Sequence, residues 1–367
     1  MRLRTLILLA VVMTAPLSAK RAKNVILFIG DAGGVSTLNA ASAHAHKAPQ
    51  KLFIQNMPNI ALSDTSTSGE WVTDSAAGMT AIVTGRKTGN GVISQTPDAV
   101  RGKKDGAPMQ TILEYAEQKG LSTAVMSNVS MADATPAACY AHANSRSMAG
   151  EIAAQILSPR FGDGVDMVIG GGRKAILAAT EKLGIDLEAR LKEKGYAVAS
   201  SPGAIPKDAK RVVALFDSGD YDPWPVVDQA INALSANKNG YFLMVEWDMH
   251  TDKLKLGLDR TIVMDNLIRK VASKVKDDTL IIFAADHSFD IRLRGGKIGD
   301  SLLPPDGQPE ARPRIRVDDG HTGEEVVVAA QGPGSELVRG YIPNTRIFQI
   351  MMAAYGWKET PPQTAAK

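Results

Sequence analysis

Apolar runs of strand length recur along the chain, and three of them end in an acid. Asn24 to Gly30 (NVILFIG) leads into Asp31, Tyr241 to Val245 (YFLMV) into Glu246, and Thr279 to Ala285 (TLIIFAA) into Asp286. These runs are apolar at every position rather than at alternate ones, which is the pattern of strands buried on both faces of a parallel sheet. Ile60 to Ser63, Ser122 to Ser127, Val165 to Ile169 and Glu325 to Ala330 predict further strands. Helices are predicted from Val35, from Asp74 or Ser75 to Gly85, and over Met109 to Gly120, Gly150 to Leu157, Asp259 to Lys274 and Pro343 to Tyr355. Gly184 to Ala199 predicts a helix and a strand at the periphery. Strands alternating with helices, without an internal repeat, predict a doubly wound α/β fold. Its central sheet is mostly parallel and carries helices on both faces. Residues 289–320 are rich in Arg, Gly and Pro and lack apolar periodicity, so they read as a long loop or small excursion on the top edge of the sheet.

Composition adds bounds rather than chemistry. A chain of 367 residues with 44% hydrophobic content can bury a large core, and residues 20–358 read as one domain. Lys and Arg number 42 against 39 Asp and Glu, and no long basic block stands out, so no nucleic-acid partner is implied. The first 19 residues differ from the rest: Arg2 and Arg4, then an apolar LILLAVVM, then a small, turn-prone stretch ending at Ala19. That order predicts a secretory signal peptide cleaved after Ala19, and hence a periplasmic or secreted protein. No later segment reaches the roughly 20 apolar residues that span a bilayer. Cys139 is the only cysteine, so no intrachain disulfide can form, and its neighbours read as packing. The Pro/Thr/Ala-rich tail from Glu359 predicts disorder.

The chemistry follows from the strand ends. Parallel strands of one sheet share a C-terminal edge, so Asp31, Glu246 and Asp286 can converge there. Clustered carboxylates repel one another unless they hold cations. Histidines stand close by, as His250, His287 and His321, whereas His44, His46 and His142 lack such a setting and read as structural. Nitrogen and carboxylate donors without thiolates suit Zn²⁺, and an all-oxygen subset suits Mg²⁺. Ser75 sits at a predicted helix start, where unpaired N–H groups favour an anion, and Arg146 offers a planar fork for two phosphoryl oxygens. The Gly170-Gly171-Gly172 run reads as a tight turn.

Taken together these segments resemble the alkaline phosphatase family. The matching stretches run in family order: VILFIGDAGG, TDSAAGMTAIVTGRKTGNGVIS, DATPAACYAHANSR, FLMVEWD with HTD, FAADHS, GHTGEEVVVAAQGPGS and PNTRIFQIMMAAYG. The resemblance implies a three-layer sandwich and a phosphomonoesterase that works through a phosphoserine, with two Zn²⁺ and one Mg²⁺. It implies Ser75 as the nucleophile and Arg146 as the phosphate ligand. Asp31 would bridge the second zinc and the magnesium, and Asp286, His287 and Ser75 would complete that zinc site. Thr135 and Glu246 would bind magnesium, with Asp133 acting on its waters. His321 would bind the first zinc. The segment after Glu246 is compressed relative to the family, and the best match makes Asp248 and His250 first-zinc ligands, with Asp252 as the competing carboxylate. In an extended segment residues 248, 250 and 252 point to one side, so sterics permit either acid. The chain is shorter than typical members, which implies a reduced crown and reduced interface insertions, with homodimerisation left open. The expected substrates are small phosphate monoesters. The alternatives are a phosphodiesterase or sulfatase-like hydrolase of the same fold, and an exported protein that binds phosphate or metal without turnover.

Overall fold

The computed structural model describes residues 20–304 and 314–359. The expected signal peptide and all but the first residue of the expected tail lie outside these residues. In chain order the described part runs β1 (Asn24–Asp31), α1 (Val35–His46), β2 (Asn59–Ser63), α2 (Ser75–Thr84), α3 (Ile112–Gln118), β3 (Ser122–Ser130), α4 (Ala134–Tyr140) and α5 (Ala149–Ala154). It continues with β4 (Met167–Gly171), α6 (Arg173–Glu181), α7 (Leu187–Glu193), β5 (Ala197–Ala199), β6 (Val212–Leu215), α8 (Pro223–Leu234) and β7 (Tyr241–Asp248). The last part holds α9 (Leu254–Lys274), β8 (Thr279–Ala284), β9 (Ser288–Leu293), β10 (Ile315–Thr322), β11 (Val326–Gln331), β12 (Gly340–Ile342) and α10 (Thr345–Tyr355).

Ten strands form one sheet in the order β12-β2-β11-β8-β1-β7-β3-β4-β6-β5. All neighbours are parallel except β11, which runs antiparallel to both β2 and β8. The three acid-ending strands are therefore adjacent, with β1 between β8 and β7. Their register aligns Ile29 with Glu246 on one side and with Ala284 on the other. Side chains alternate along a strand, so Asp31, Glu246 and Asp286 all leave the same face. Beneath them on that face lie Leu27, Ile29, Met244, Ile282 and Ala284, covered by apolar residues of α2, α3, α4 and α10 among others. The opposite face carries Ile26, Phe28, Leu243, Val245 and Phe283 and is covered by α1, α8 and α9.

Two expectations gain detail. Within the stretch expected as a long loop or small excursion, β9 and β10 pair antiparallel, with a register shift between Val317 and His321. Their inward side chains, Phe289, Ile291 and Ile315, are buried, but charged residues stand between them and mask the alternation. Helix boundaries also move. Helix α3 starts after Thr111, whose hydroxyl accepts from the Glu114 N–H while Glu114 reaches back to the Thr111 N–H, a capping box that sets the first turn.

One buried acid of the fold makes a pH-dependent contribution. Glu117, in the last turn of α3, accepts from Thr123 Oγ1 at 2.5 Å and from the Gly164 N–H at 3.2 Å. Burial pushes its pKa from 4.5 up to about 7, with Asp166 and Asp163 adding to the shift and the Thr123 hydrogen bond opposing it. The folded state thus keeps a proton that the unfolded chain releases, and stability falls as pH rises between about 4.5 and 7. Glu117→Gln, which mimics the protonated side chain, should stabilise the protein by about 1–3 kcal/mol above pH 7 and by little at pH 4.5. Denaturant unfolding at the two pH values measures this; an equal effect at both would show that Glu117 does not carry the shift.

Candidate active site

Helix α2 divides its capping and its chemistry between neighbouring residues. Asp74 is the N-cap, and its Oδ1 accepts from the Ala77 N–H at 3.1 Å. Ser75, the first helical residue, is left free of that task, and its Oγ lies 3.2 Å from His287 Nε2. The serine is buried, at 3% exposure, and faces the positive end of a ten-residue helix. Gly78 allows α2 to approach this closely, since a Cβ there would stand 2.6 Å from the Asp286 carbonyl oxygen. Asn90 fixes the loop that leads into α2: its Oδ1 accepts from the Asp74 N–H at 2.8 Å and its Nδ2 donates to the Val72 carbonyl at 3.1 Å.

The strand-end acids gather behind the serine. Asp31 Oδ1 lies 3.1 Å from His287 Nε2 and 3.8 Å from His250 Nδ1. Asp286 Oδ1 accepts from the His287 and Ala32 N–H groups at 3.0 and 3.4 Å, and Thr135 Oγ1 donates to its Oδ2 at 3.4 Å. Ala32 takes a left-handed φ of 65° in that turn. Glu246 is fully buried, and Ser127 donates to its Oε2 at 2.5 Å. His287 Nδ1 donates to the Ser288 carbonyl at 3.1 Å, and His321 Nδ1 donates to the Thr73 carbonyl at 3.0 Å. A carbonyl can only accept, so both rings keep Nε2 for a ligand. The two rings stack with centroids 3.7 Å apart, and His250 stands 5.6 Å from each. Donor atoms of Asp31, Asp286 and His287 lie within 4.8 Å of one another, and so do those of His250, His287 and His321.

Electrostatics at this cluster call for added positive charge. Burial drives the Glu246 carboxyl well above the carboxylate range, and Asp31 adds to that. Burial and Asp31 push Asp286 up to about 6. Burial would raise Asp31 too, but the close, charged His287 holds it below the usual range. His287 rises to about 9 against its own burial because Asp286 and Asp31 flank it. Burial and the His287 charge lower His321. Asp31 Oδ1 and Glu246 Oε1 have no well-directed donor although both are buried. The 3.1 Å approach of His287 to Asp31 is therefore an attraction of charges rather than an aligned hydrogen bond.

Arg146 overhangs the serine side of the cluster. Its Nη1 lies 3.2 Å from Asp74 Oδ2 and its Nη2 2.8 Å from Asp133 Oδ1, and its N–H donates to the Gly91 carbonyl at 2.7 Å. Although burial opposes it, the two carboxylates raise the guanidinium pKa further. Asp133 also caps α4 through the Ala134 N–H at 2.6 Å, which puts Thr135 in the first turn beside Asp286.

Most of the residues expected from sequence meet here, with Asp252 as the exception. Asp252 is exposed on the turn that follows β7. Asp248 meets the cluster at His250, its Oδ1 lying 2.8 Å from the ring Nδ1, while its Oδ2 lies 2.5 Å from Arg260 Nη1 on α9. Sequence reading missed Ser127, Asn90 and Arg260. Ser127 carried a faint signal, a polar residue ending an apolar strand, whereas Arg260 looks like any charged position on an amphipathic helix. His44 pairs with Asp259 at 3.0 Å and His142 with Glu114 at 2.9 Å, in line with structural roles. Cys139 is buried and its thiol pKa is raised, first by burial and then by the Glu246 charge. A cavity of about 500 Å³ lined by Thr84, Arg86, Tyr115 and Phe348 lies at the far end of α2, away from these groups.

Comparison with known proteins points the same way. The chain is 28% identical to an alkaline phosphatase of Escherichia fergusonii, covering 93% of this chain and 88% of that one. It is 27% identical to a streptomycin-6-phosphate phosphatase of Streptomyces griseus, covering 91% of each. Among solved structures, the alkaline phosphatase of the Antarctic bacterium TAB5 superposes with a TM-score of 0.77 at 26% identity, covering 93% of this chain and all of that one. A variant of that enzyme with magnesium bound gives 0.78 at 27% identity over the same shares. The family model for alkaline phosphatase matches residues 22–196 and 224–306, which span Asp31, Ser75, Arg146, Glu246 and His287, and on that match the chain belongs to the alkaline phosphatase family.

Proposed function

We propose that the chain is an exported, metal-dependent phosphomonoesterase that works through a covalent phosphoserine. The observation that carries this reading is the position of Ser75 Oγ. It is free of capping duty, lies at a helix N-terminus 3.2 Å from His287 Nε2, and has the Arg146 fork paired to the preceding residue. Export rests on the sequence of residues 1–19, and no helix of the described residues is long and apolar enough to cross a membrane.

The residues fit bound cations. Two buried carboxylate oxygens lack donors, and nitrogen and oxygen donors converge without a thiolate, a donor set suited to Zn²⁺ and Mg²⁺. One position would use Asp31, Asp286, His287 and Ser75. A second would use Asp31, Thr135 and Glu246, with Asp133 at its edge. A third would use His250 and His321. This accommodates two Zn²⁺ and one Mg²⁺. Bound there, the ions would supply Lewis-acid charge to the serine hydroxyl, to water and to phosphoryl oxygens.

The chain's own groups then divide the work. Ser75 Oγ attacks phosphorus as the bond to the leaving alkoxy group breaks; the phosphoryl group passes to the serine, and the proton the hydroxyl gives up goes by way of solvent to the leaving oxygen. Arg146 donates to two non-bridging oxygens, and Asp74 and Asp133 hold its plane before substrate arrives. The N–H groups of the first turn of α2 face the developing charge. Water then attacks the phosphoserine, releasing phosphate and restoring the hydroxyl.

Purified protein should hydrolyse p-nitrophenyl phosphate far faster than bis-p-nitrophenyl phosphate, lose activity to a chelator, and regain it with Zn²⁺ and Mg²⁺. A higher rate on the bis-ester would sink the monoesterase reading and favour a diesterase. Acid quenching with labelled substrate should trap a phosphoprotein, and Ser75→Ala should remove both label and turnover. Label that persisted in Ser75→Ala would place the nucleophile elsewhere. Arg146→Ala should lower kcat/KM by about 10²–10³ while leaving metal content unchanged; a loss of metal instead would contradict its assignment to phosphate.

A further inference from the structure

We propose that Asp248 serves one metal position indirectly: with Arg260 it forms a relay that fixes the ring of His250, while its carboxylate stays off the ion. The inference rests on the metal-dependent reading above and deepens it.

Both oxygens of Asp248 are committed. Oδ1 lies 3.0 Å from the His250 backbone N–H and 2.8 Å from its ring Nδ1. Oδ2 lies 2.5 Å from Arg260 Nη1, and Arg260 Nη2 lies 3.2 Å from Asp220 Oδ1. The Asp248 backbone is fixed as well, since its N–H donates to Asn128 Oδ1 at 2.8 Å. Turning the carboxylate toward the cluster would break two charge-assisted contacts. It would also strip a guanidinium whose buried Nε already has no partner.

The compressed segment gives Asp248 no other way in. Met249, between Asp248 and His250, is fully buried. It presses on the β1 turn so closely that a Cβ at Gly30 would stand 2.7 Å from its Sδ. Its N–H donates to the Asp31 carbonyl at 2.9 Å. Pinned in this way, the segment presents His250 to the cluster and turns Asp248 toward α9. With Nδ1–H donating to Asp248, Nε2 is the atom of His250 left for an ion, an arrangement in which a carboxylate orients a metal-bound histidine from behind. His250 and His321 then offer neutral nitrogen to that position, with His287 alongside. A position built mainly on imidazole nitrogen should select nitrogen-preferring ions such as Zn²⁺ or Co²⁺ over Mg²⁺.

The test uses the full mature chain, stripped by chelator and titrated with Zn²⁺ and with Co²⁺, reading bound ions at saturation, affinity and the visible Co²⁺ spectrum. His250→Ala should lose one ion. Asp248→Asn and Asp248→Ala should keep the wild-type number at saturation, with affinity at that position about 10–100-fold weaker. Asp248→Asn should also keep the wild-type Co²⁺ spectrum. Arg260→Gln should weaken the same position severalfold, and Arg260→Lys should restore part of the loss. Arg260 lies outside both donor groups, so its variants carry the test even where an Asp248 variant fails to fold. Loss of an ion at saturation in Asp248→Ala would overturn the relay, and so would affinity that rises or holds in Arg260→Gln. If the wild-type protein takes up no ion, the metal-dependent reading itself fails, and the relay with it.

Discussion

Three carboxylates on one face of three adjacent strands are the constraint around which the rest of this structure is arranged. The β8-β1-β7 register places Asp31, Glu246 and Asp286 together at the C-terminal edge, over a floor of aliphatic side chains. Burial alone would keep such acids protonated, and mutual repulsion adds to the effect. The chain answers in part with histidine, holding His287 against Asp31 and Asp286. It leaves Asp31 Oδ1 and Glu246 Oε1 without donors, which is costly in a folded interior unless a cation completes the site. Stability and chemistry thus draw on the same charges.

The strand trio was legible because a strand buried on both faces leaves an unmistakable apolar run, and a polar residue at its end stands out. Ser75 was legible as a helix start, but sequence left open whether Asp74 or Ser75 would cap. The structure separates the two: Asp74 spends its carboxylate on the Ala77 N–H and on Arg146, which frees the serine hydroxyl. His321 was found by its neighbours rather than by its secondary structure. The hairpin that carries it alternates apolar with charged residues, and its own stretch lies beyond the residues matched by the family model.

The segment from Glu246 to Asp252 shows where sequence runs out. Residues 248, 250 and 252 share one side of an extended chain, so alternation could not say which acid turns inward. The choice is made by groups distant in sequence. Arg260 comes from the next helix, Asn128 from β3, and the glycines of the β1 turn make room for Met249. No local pattern encodes such a decision, because it depends on which polar partners remain once the strands have paired.

That choice also has an electrostatic logic. Asp31, Asp286 and Glu246 already crowd one face, and a fourth carboxylate turned into the same cluster would raise the repulsion that His287 only partly offsets. Pairing Asp248 with a guanidinium at the rim removes its charge from the cluster while keeping its use as an acceptor for His250. Shortening the segment brings His250 to within two residues of the strand end. A carboxylate there reaches the ring nitrogen from behind, as Asp248 Oδ1 does at 2.8 Å. The two-residue step from Asp248 to His250 is thus, on this geometry, the feature that sets the histidine.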